Sequence, residues 1–193
     1  MDKIRSKISE LERTLEELRE MAIEPTIWSS EELRSAIRSG DYQDVIKYLP
    51  NMDKDTIGEA DRYGQTALHW AIDDNEEICQ MIIENMHMDD ICHQTTATGS
   101  TALHFAVKRR RPQMVKLLLK YDVERRLVCL QNIDGETALH LAVSIGDLEM
   151  CQILYESAKS ANVLSIQTKN GYTAPDLAIH RKHDTIVNLF QMK

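Results

Sequence analysis

The chain has 193 residues, room for one or two domains, and its 42% hydrophobic and 28% charged residues suit a folded body with a buried core. Aromatics at 5%, with 7 glycines and 4 prolines, favour helix over turn-rich β-structure. No apolar run is long enough to span a membrane, and a formal net charge of −8 argues against direct nucleic-acid binding, whose affinity comes largely from neutralised phosphates.

The first expected element is an amphipathic helix over residues 1–24. Ile4, Ile8, Leu11, Leu15, Leu18 and Ala22 follow a heptad spacing, and Pro25 closes the run. Two readings stay open. A short coiled coil would join two copies of the chain, with Lys7 of one copy facing Glu12 of the other. Alternatively, the same stripe lies across the next unit as a capping helix. About three heptads are marginal without tertiary support, which favours the cap. The opening MDKIRSKISE lacks the apolar core of a signal peptide, so an intracellular chain, cytoplasmic or nuclear, is expected.

From residue 29 onward a pattern recurs. The stretch EELRSAIRSGDYQDVIKYL sets Leu33 and Ala36 35 residues ahead of Leu68 and Ala71. It lacks an opening glycine turn, as an N-terminal capping unit should. The full motif follows as GQTALHWAI from Gly64, GSTALHFAV from Gly99, GETALHLAV from Gly135 and a worn GYTAPDLAI from Gly171, a period of 35, 36 and 36 residues. A fixed period of this size marks a solenoid, in which each unit buries its apolar face against its neighbours. Within one unit, Leu103, Ala106 and Val107 make one helical stripe and Met114, Val115, Leu117 and Leu118 another. Each unit is therefore predicted to be two short antiparallel helices and a long connection, an all-α fold. Thr66, Thr101, Thr137 and Thr173 stand where a hydroxyl caps the first helix.

His69, His104 and His140 repeat in register but do not make a metal site. Equivalent residues in stacked units lie about 10 Å apart, far beyond the ~2 Å of a metal–nitrogen bond. Each imidazole is expected to tie its own turn to a neighbouring backbone, with Asp176 as the polar substitute in the last unit. The clusters HMDDICH and HRKH match no metal template, and the serines lack a nucleophile-elbow context. Cys79, Cys92, Cys129 and Cys151 show no CxxC spacing and are expected as reduced, mostly core thiols. No catalytic residue, cofactor or metal is expected.

These residues resemble the ankyrin-repeat family, whose signature runs Gly–x–Thr–Pro–Leu–His–x–Ala ahead of a helix pair and a hairpin turn. The resemblance covers residues 29 to 193 and implies about five units, at 29–60, 61–95, 96–131, 132–167 and 168–193. Alanine replaces the family's proline at positions 67, 102 and 138, and the usual Gly-Ala-Asp after the second helix is missing. The longer connections are expected to form an extended second helix or an irregular hairpin. Ile91, Leu127, Val128, Leu130, Val163, Leu164 and Ile166 would fold back there as core.

The resemblance further implies a non-catalytic module that binds a protein partner on a concave surface of hairpin tips and first-helix ends. A homo-oligomeric scaffold joined by the N-terminal helix is the alternative. Carried onto this chain, the surface comprises Arg62, Tyr63, Gln65, Asp73 and Asp74, then Thr98, Ser100, Lys108, Arg109 and Arg110. Ile133, Glu136, Ser144 and Ile145 follow, then Asn170, Tyr172, His180 and Arg181. Tyr63 and Tyr172 would be aromatic anchors and Ile145 an exposed apolar contact. Asp73, Asp74, Glu76 and Glu77 beside the Lys108–Arg111 run make neighbouring patches of opposite sign. These would either steer a partner or simply solvate a helix turn.

Overall fold

The computed structural model describes residues 28–158 and 162–191, and every regular element among them is helical. The stripe at residues 1–24, with its cap and coiled-coil alternatives, lies outside the described residues. The array opens on α1 (Ser30–Ser39). Ser29 accepts the amide of Glu32, and the Glu32 carboxylate takes the Ser29 amide at 2.8 Å, closing both ends of a capping box. Gly40, at φ 76°, ends α1 in the left-handed region and turns the chain into α2 (Tyr42–Tyr48). The short α3 (Lys54–Gly58), N-capped by Asp53, completes this first unit.

Four glycine-opened units follow, each a pair of helices. They are α4 (Ala67–Ala71) with α5 (Glu76–Asn85), α6 (Ala102–Lys108) with α7 (Pro112–Tyr121), α8 (Ala138–Ile145) with α9 (Leu148–Ala158), and α10 (Ala174–His180) with α11 (Asp184–Gln191). First helices pack on first helices and second on second, giving two parallel rows. One hydrophobic core runs between the rows from Leu33 to Ile186 without a break. This is the stacked interior that the repeat period predicts, since no pair could bury its stripe alone.

The long connections resolve as single 3-10 turns, at Met88–Cys92, Leu127–Cys129 and Val163–Ser165. They carry Ile91, Leu127, Val128 and Val163 into the core, while Leu130, Leu164 and Ile166 are half-buried against it. Tight turns place these apolar side chains inward within few residues, so neither a longer helix nor a hairpin is needed.

At the opposite end of each unit the glycine turns interlock. The amide of Thr96 donates to the Tyr63 carbonyl at 3.0 Å, Ile133 to Thr98 at 2.9 Å and Lys169 to Asp134 at 3.0 Å. A ladder of glutamines reinforces them. Gln94 Nε2 donates to the Gly99 and Gln131 carbonyls, and Gln131 Nε2 to those of Gly135 and Gln167, at 2.6–2.8 Å. These amides satisfy carbonyls that the absence of a β-sheet would leave unpaired. Further polar staples cross the units at their other side. Tyr121 donates to Glu84 at 2.8 Å, Arg126 pairs with Asp89, and Arg125 donates to the Ser157 carbonyl.

Candidate functional site

The motif residues set the geometry from below. In the third and fourth units the Thr101 and Thr137 amides donate to Nδ1 of His104 and His140 at 3.2 Å, and the hydroxyls sit 2.8 Å from the same nitrogens. Nδ1 is therefore the acceptor, and Nε2 carries the proton in a neutral ring. That proton reaches the next unit, to the Glu136 carbonyl at 3.0 Å and the Tyr172 carbonyl at 3.2 Å. Thus each histidine caps its own helix and holds the following turn, as expected from sequence.

His69 caps in the same way, with the Thr66 amide 3.2 Å from Nδ1. Its Nε2, however, is buried without a hydrogen bond. The Ser100 carbonyl occupies the corresponding place and favours the protonated ring, but does not come within hydrogen-bonding geometry. Burial dominates and lowers the His69 pKa to about 4, with a smaller contribution from His93. Burial also lowers His104 and His140, opposed by the carbonyls they meet. In the last unit Asp176 replaces the imidazole. It accepts from the Thr173 hydroxyl at 2.6 Å and the Thr173 amide at 3.1 Å, and those bonds lower its pKa.

With the turns fixed, one face of the array is built from turn tips and first-helix ends, and it carries two clefts. A cavity of about 270 Å³ between the fourth and fifth units brings together Glu136, Ser144, Asn170, Tyr172, His180 and Arg181. All six belong to the partner surface expected from sequence, and Asp134, Thr168 and Leu177 complete the lining. The Tyr172 and His180 rings meet at 5.3 Å. A larger cavity of about 540 Å³ lies between the first and second units, where Arg62 and Tyr63 face Arg34, Arg38, Asp61 and Trp70.

Other expected residues have different surroundings. Arg109 pairs with Asp73 at 3.2 Å, while Arg111 donates to the Asp73 and Asp74 carbonyls at 2.7 and 2.6 Å. Half of the opposed-charge patch is thereby spent joining unit to unit, and Lys108 and Arg110 remain exposed. Thr98 and Ser100 bond each other at 2.9 Å, and Gln65 is half-buried behind its turn. Ile133 is half exposed. Ile145 is corrected: it is half-buried and packed on the core, because α8 continues through it and turns its side chain inward.

Arg34, Arg38, Asp61 and Trp70 are cleft residues that the sequence reading passed over. Trp70 had a signal, since it directly follows the histidine of the motif, where Phe105, Leu141 and Leu177 stand in later units. Arg38 had one too: at the 35-residue offset that aligns Leu33 with Leu68 it corresponds to Asp73, a position expected on the surface. Among the described residues no three histidine, cysteine or acidic side chains are placed to hold a metal ion. Burial raises the Cys79 and Cys151 thiols to about 12, far from a reactive thiolate. No described helix is long and apolar enough to cross a membrane.

The family model for ankyrin repeats (three copies) matches residues 33–126 and 123–193. The chain belongs to the ankyrin-repeat family. It is 35% identical over 94 residues to the ankyrin repeat protein FPV014 of Fowlpox virus (strain NVSL), covering 48% of this chain and 21% of that protein. It is also 41% identical over 70 residues to the 85/88 kDa calcium-independent phospholipase A2 of Rattus norvegicus, covering 36% of this chain and 8% of the enzyme. The chain thus spans only a small part of either relative, and the name of the second describes that protein. Ankyrin repeats are in general protein–protein interaction modules and are typically non-catalytic.

Proposed function

We propose that this ankyrin array is a non-catalytic binding module that takes a segment of a protein partner along the face of turn tips and first-helix ends. The carrying observation is the convergence of Glu136, Ser144, Asn170, Tyr172, His180 and Arg181 in one cleft. Positions that vary from repeat to repeat meet there, while the positions that repeat are consumed by capping and stacking. A face held by backbone and histidine bonds is preorganised, so little ordering cost falls on the module when a partner docks. Tyr63 and Tyr172, both exposed, supply rigid amphipathic contact area at the two ends of the face.

The test is site-specific photo-crosslinking in cell extract. A photoreactive residue at Tyr63, Ser144 or His180 is expected to capture the same protein. At Lys116, exposed on a second helix, it should capture none of it. Equal capture from Lys116, or capture from there alone, would move binding to the other side of the array.

A further inference from the structure

The cleft between the first two units has a chemistry of its own. Arg34 is spent inside the fold, with Nη1 on the Glu59 carbonyl at 2.9 Å and Nη2 on Glu31 at 3.1 Å. Arg38 and Arg62 are not. The Arg38 guanidinium lies over the Trp70 ring at 5.6 Å, and that of Arg62 over the Tyr63 ring at 4.8 Å. Among the described residues neither reaches a carboxylate. Stacking uses the flat face of a guanidinium and leaves its in-plane N–H donors free, the edge that grips a carboxylate bidentately. Trp70 itself lines this cleft, so the stacked Arg38 guanidinium is held at its wall.

We infer that this cleft recognises an acidic segment of a peptide partner, with Asp or Glu carboxylates held by the edges of Arg38 and Arg62; the inference rests on the binding face proposed above. Charge complementarity selects this occupant. The cavity of about 540 Å³ sets three guanidiniums against the carboxylates of Glu31 and Asp61, a net single positive charge on a chain of net −8. Asp61 is turned to its own loop, accepting the Tyr63 and Gln65 amides at 2.8 and 2.9 Å, so it does not cancel the arginine edges directly. Planar carboxylates match the two separate guanidinium edges one to one, each edge taking a single charge. The cleft at the far end has Asp134 and Glu136 against Arg181, the opposite balance, which would set the direction in which a peptide lies.

A random dodecapeptide display library panned on the full-length protein tests this. Selected peptides are expected to be enriched in Asp and Glu, and the enrichment should vanish with the R38Q/R62Q variant while surviving K116Q, a charge removed from an exposed second helix away from the face. A selected peptide, resynthesised and labelled, should lose at least about tenfold in affinity on R38Q/R62Q, the scale of one charge-assisted contact. Its Gln/Asn counterpart should lose as much on the wild-type protein. Melting temperatures of both variants are measured in parallel, and a fall in either would call for R38K/R62K, which keeps charge but not the fork and should still weaken binding. Acidic enrichment that persists in R38Q/R62Q, or a phosphoserine version that binds more tightly than the Glu peptide, overturns the inference. Selection without acidic bias would sink it too but leave the binding module standing; no selectable peptide at all would count against both.

Discussion

Val143 and Ile179 occupy the same place in consecutive repeats, eight residues after the turn glycine, yet one is 0% exposed and the other 61%. Ile72 and Val107, the earlier counterparts, are each 1% exposed. The apolar position is thus kept even in the fifth unit, against whose outer side no described repeat packs. The same contrast holds for the glycines. A Cβ on Gly135 would lie 2.7 Å from the Lys169 amide nitrogen, whereas a Cβ on Gly171 would meet nothing within 4 Å. What looks like one rule in the sequence is therefore two. One concerns the local turn and holds in every repeat; the other concerns the approach of the next repeat and lapses where no described repeat follows.

The sharpest way to separate them is at the two glycines. Both have positive φ, 76° and 80°, so alanine at either position costs about 1 kcal/mol or more in backbone strain. Gly135→Ala must also push the following turn away and should lose about 3 kcal/mol or more. Gly171→Ala should lose only the strain. Urea midpoints of the two variants provide the measurement, and equal losses would mean that the stacking argument is wrong. A milder version trims side chains. Val143→Ala removes buried methyl groups and should cost about 2 kcal/mol, whereas Ile179→Ala should stay within about 0.5 kcal/mol.

How much of this was legible beforehand follows the same division. Helix pairs, their caps, the inward-folding connections and the turn-tying role of His104 and His140 could be read because each is set by residues near one another in sequence or recurring in register. The glutamine ladder was equally periodic, at Gln94, Gln131 and Gln167, but its meaning depends on carbonyls 36 or 37 residues away. The grouping of the expected surface residues was legible only in part. Glu136, Ser144, Asn170, Tyr172, His180 and Arg181 do meet. Arg109 was expected there as part of the first-helix end that the resemblance implies, and no pattern announced that Asp73 of the preceding unit would claim it. Arg38 was passed over although it stands 35 residues before Asp73, and its placement over Trp70 of the next unit is not written in its own repeat.

Acid separates interior from end by a second route. Burial holds His69 near a pKa of about 4, against the 6.5 of an ordinary histidine, and lowers His104 and His140 as well. The unfolded chain therefore binds more protons than the folded one as pH falls below about 6.5, and stability falls with it. Between pH 7 and 5, His69 alone should account for a loss of about 2 kcal/mol. Asp176, the counterpart in the last unit, has its pKa lowered from 3.8 by Thr173, so its contribution persists until the pH drops to about 4 and is lost below that. Hydrogen exchange across this range should show the second to fourth units loosening by pH 5 while the Thr173 cap stays closed. Simultaneous opening of both would remove the distinction.

The smallest expected effect comes from the bend between first and second helix. Gly40 and Gly146 take that bend at φ 76° and 74°, a conformation natural to glycine. In the third and fifth units Arg110 and Lys182 hold it instead, at φ 54° and 59°. A side chain there costs about 1–2 kcal/mol, partly offset because glycine has more freedom to lose on folding, about 0.5–1 kcal/mol. Arg110→Gly should accordingly raise stability by about 0.5 kcal/mol, and Lys182→Gly by a similar amount. Both gains should appear as higher urea midpoints with unchanged slope, since the folded surface hardly changes. A basic side chain kept at a position where glycine is more stable points to a use outside folding. For Arg110, which lies among the expected partner contacts, that use would register as weaker partner crosslinking at Ser144 in the more stable variant. If Arg110→Gly stabilises the array and leaves crosslinking untouched, the arginine contributes nothing to the binding face.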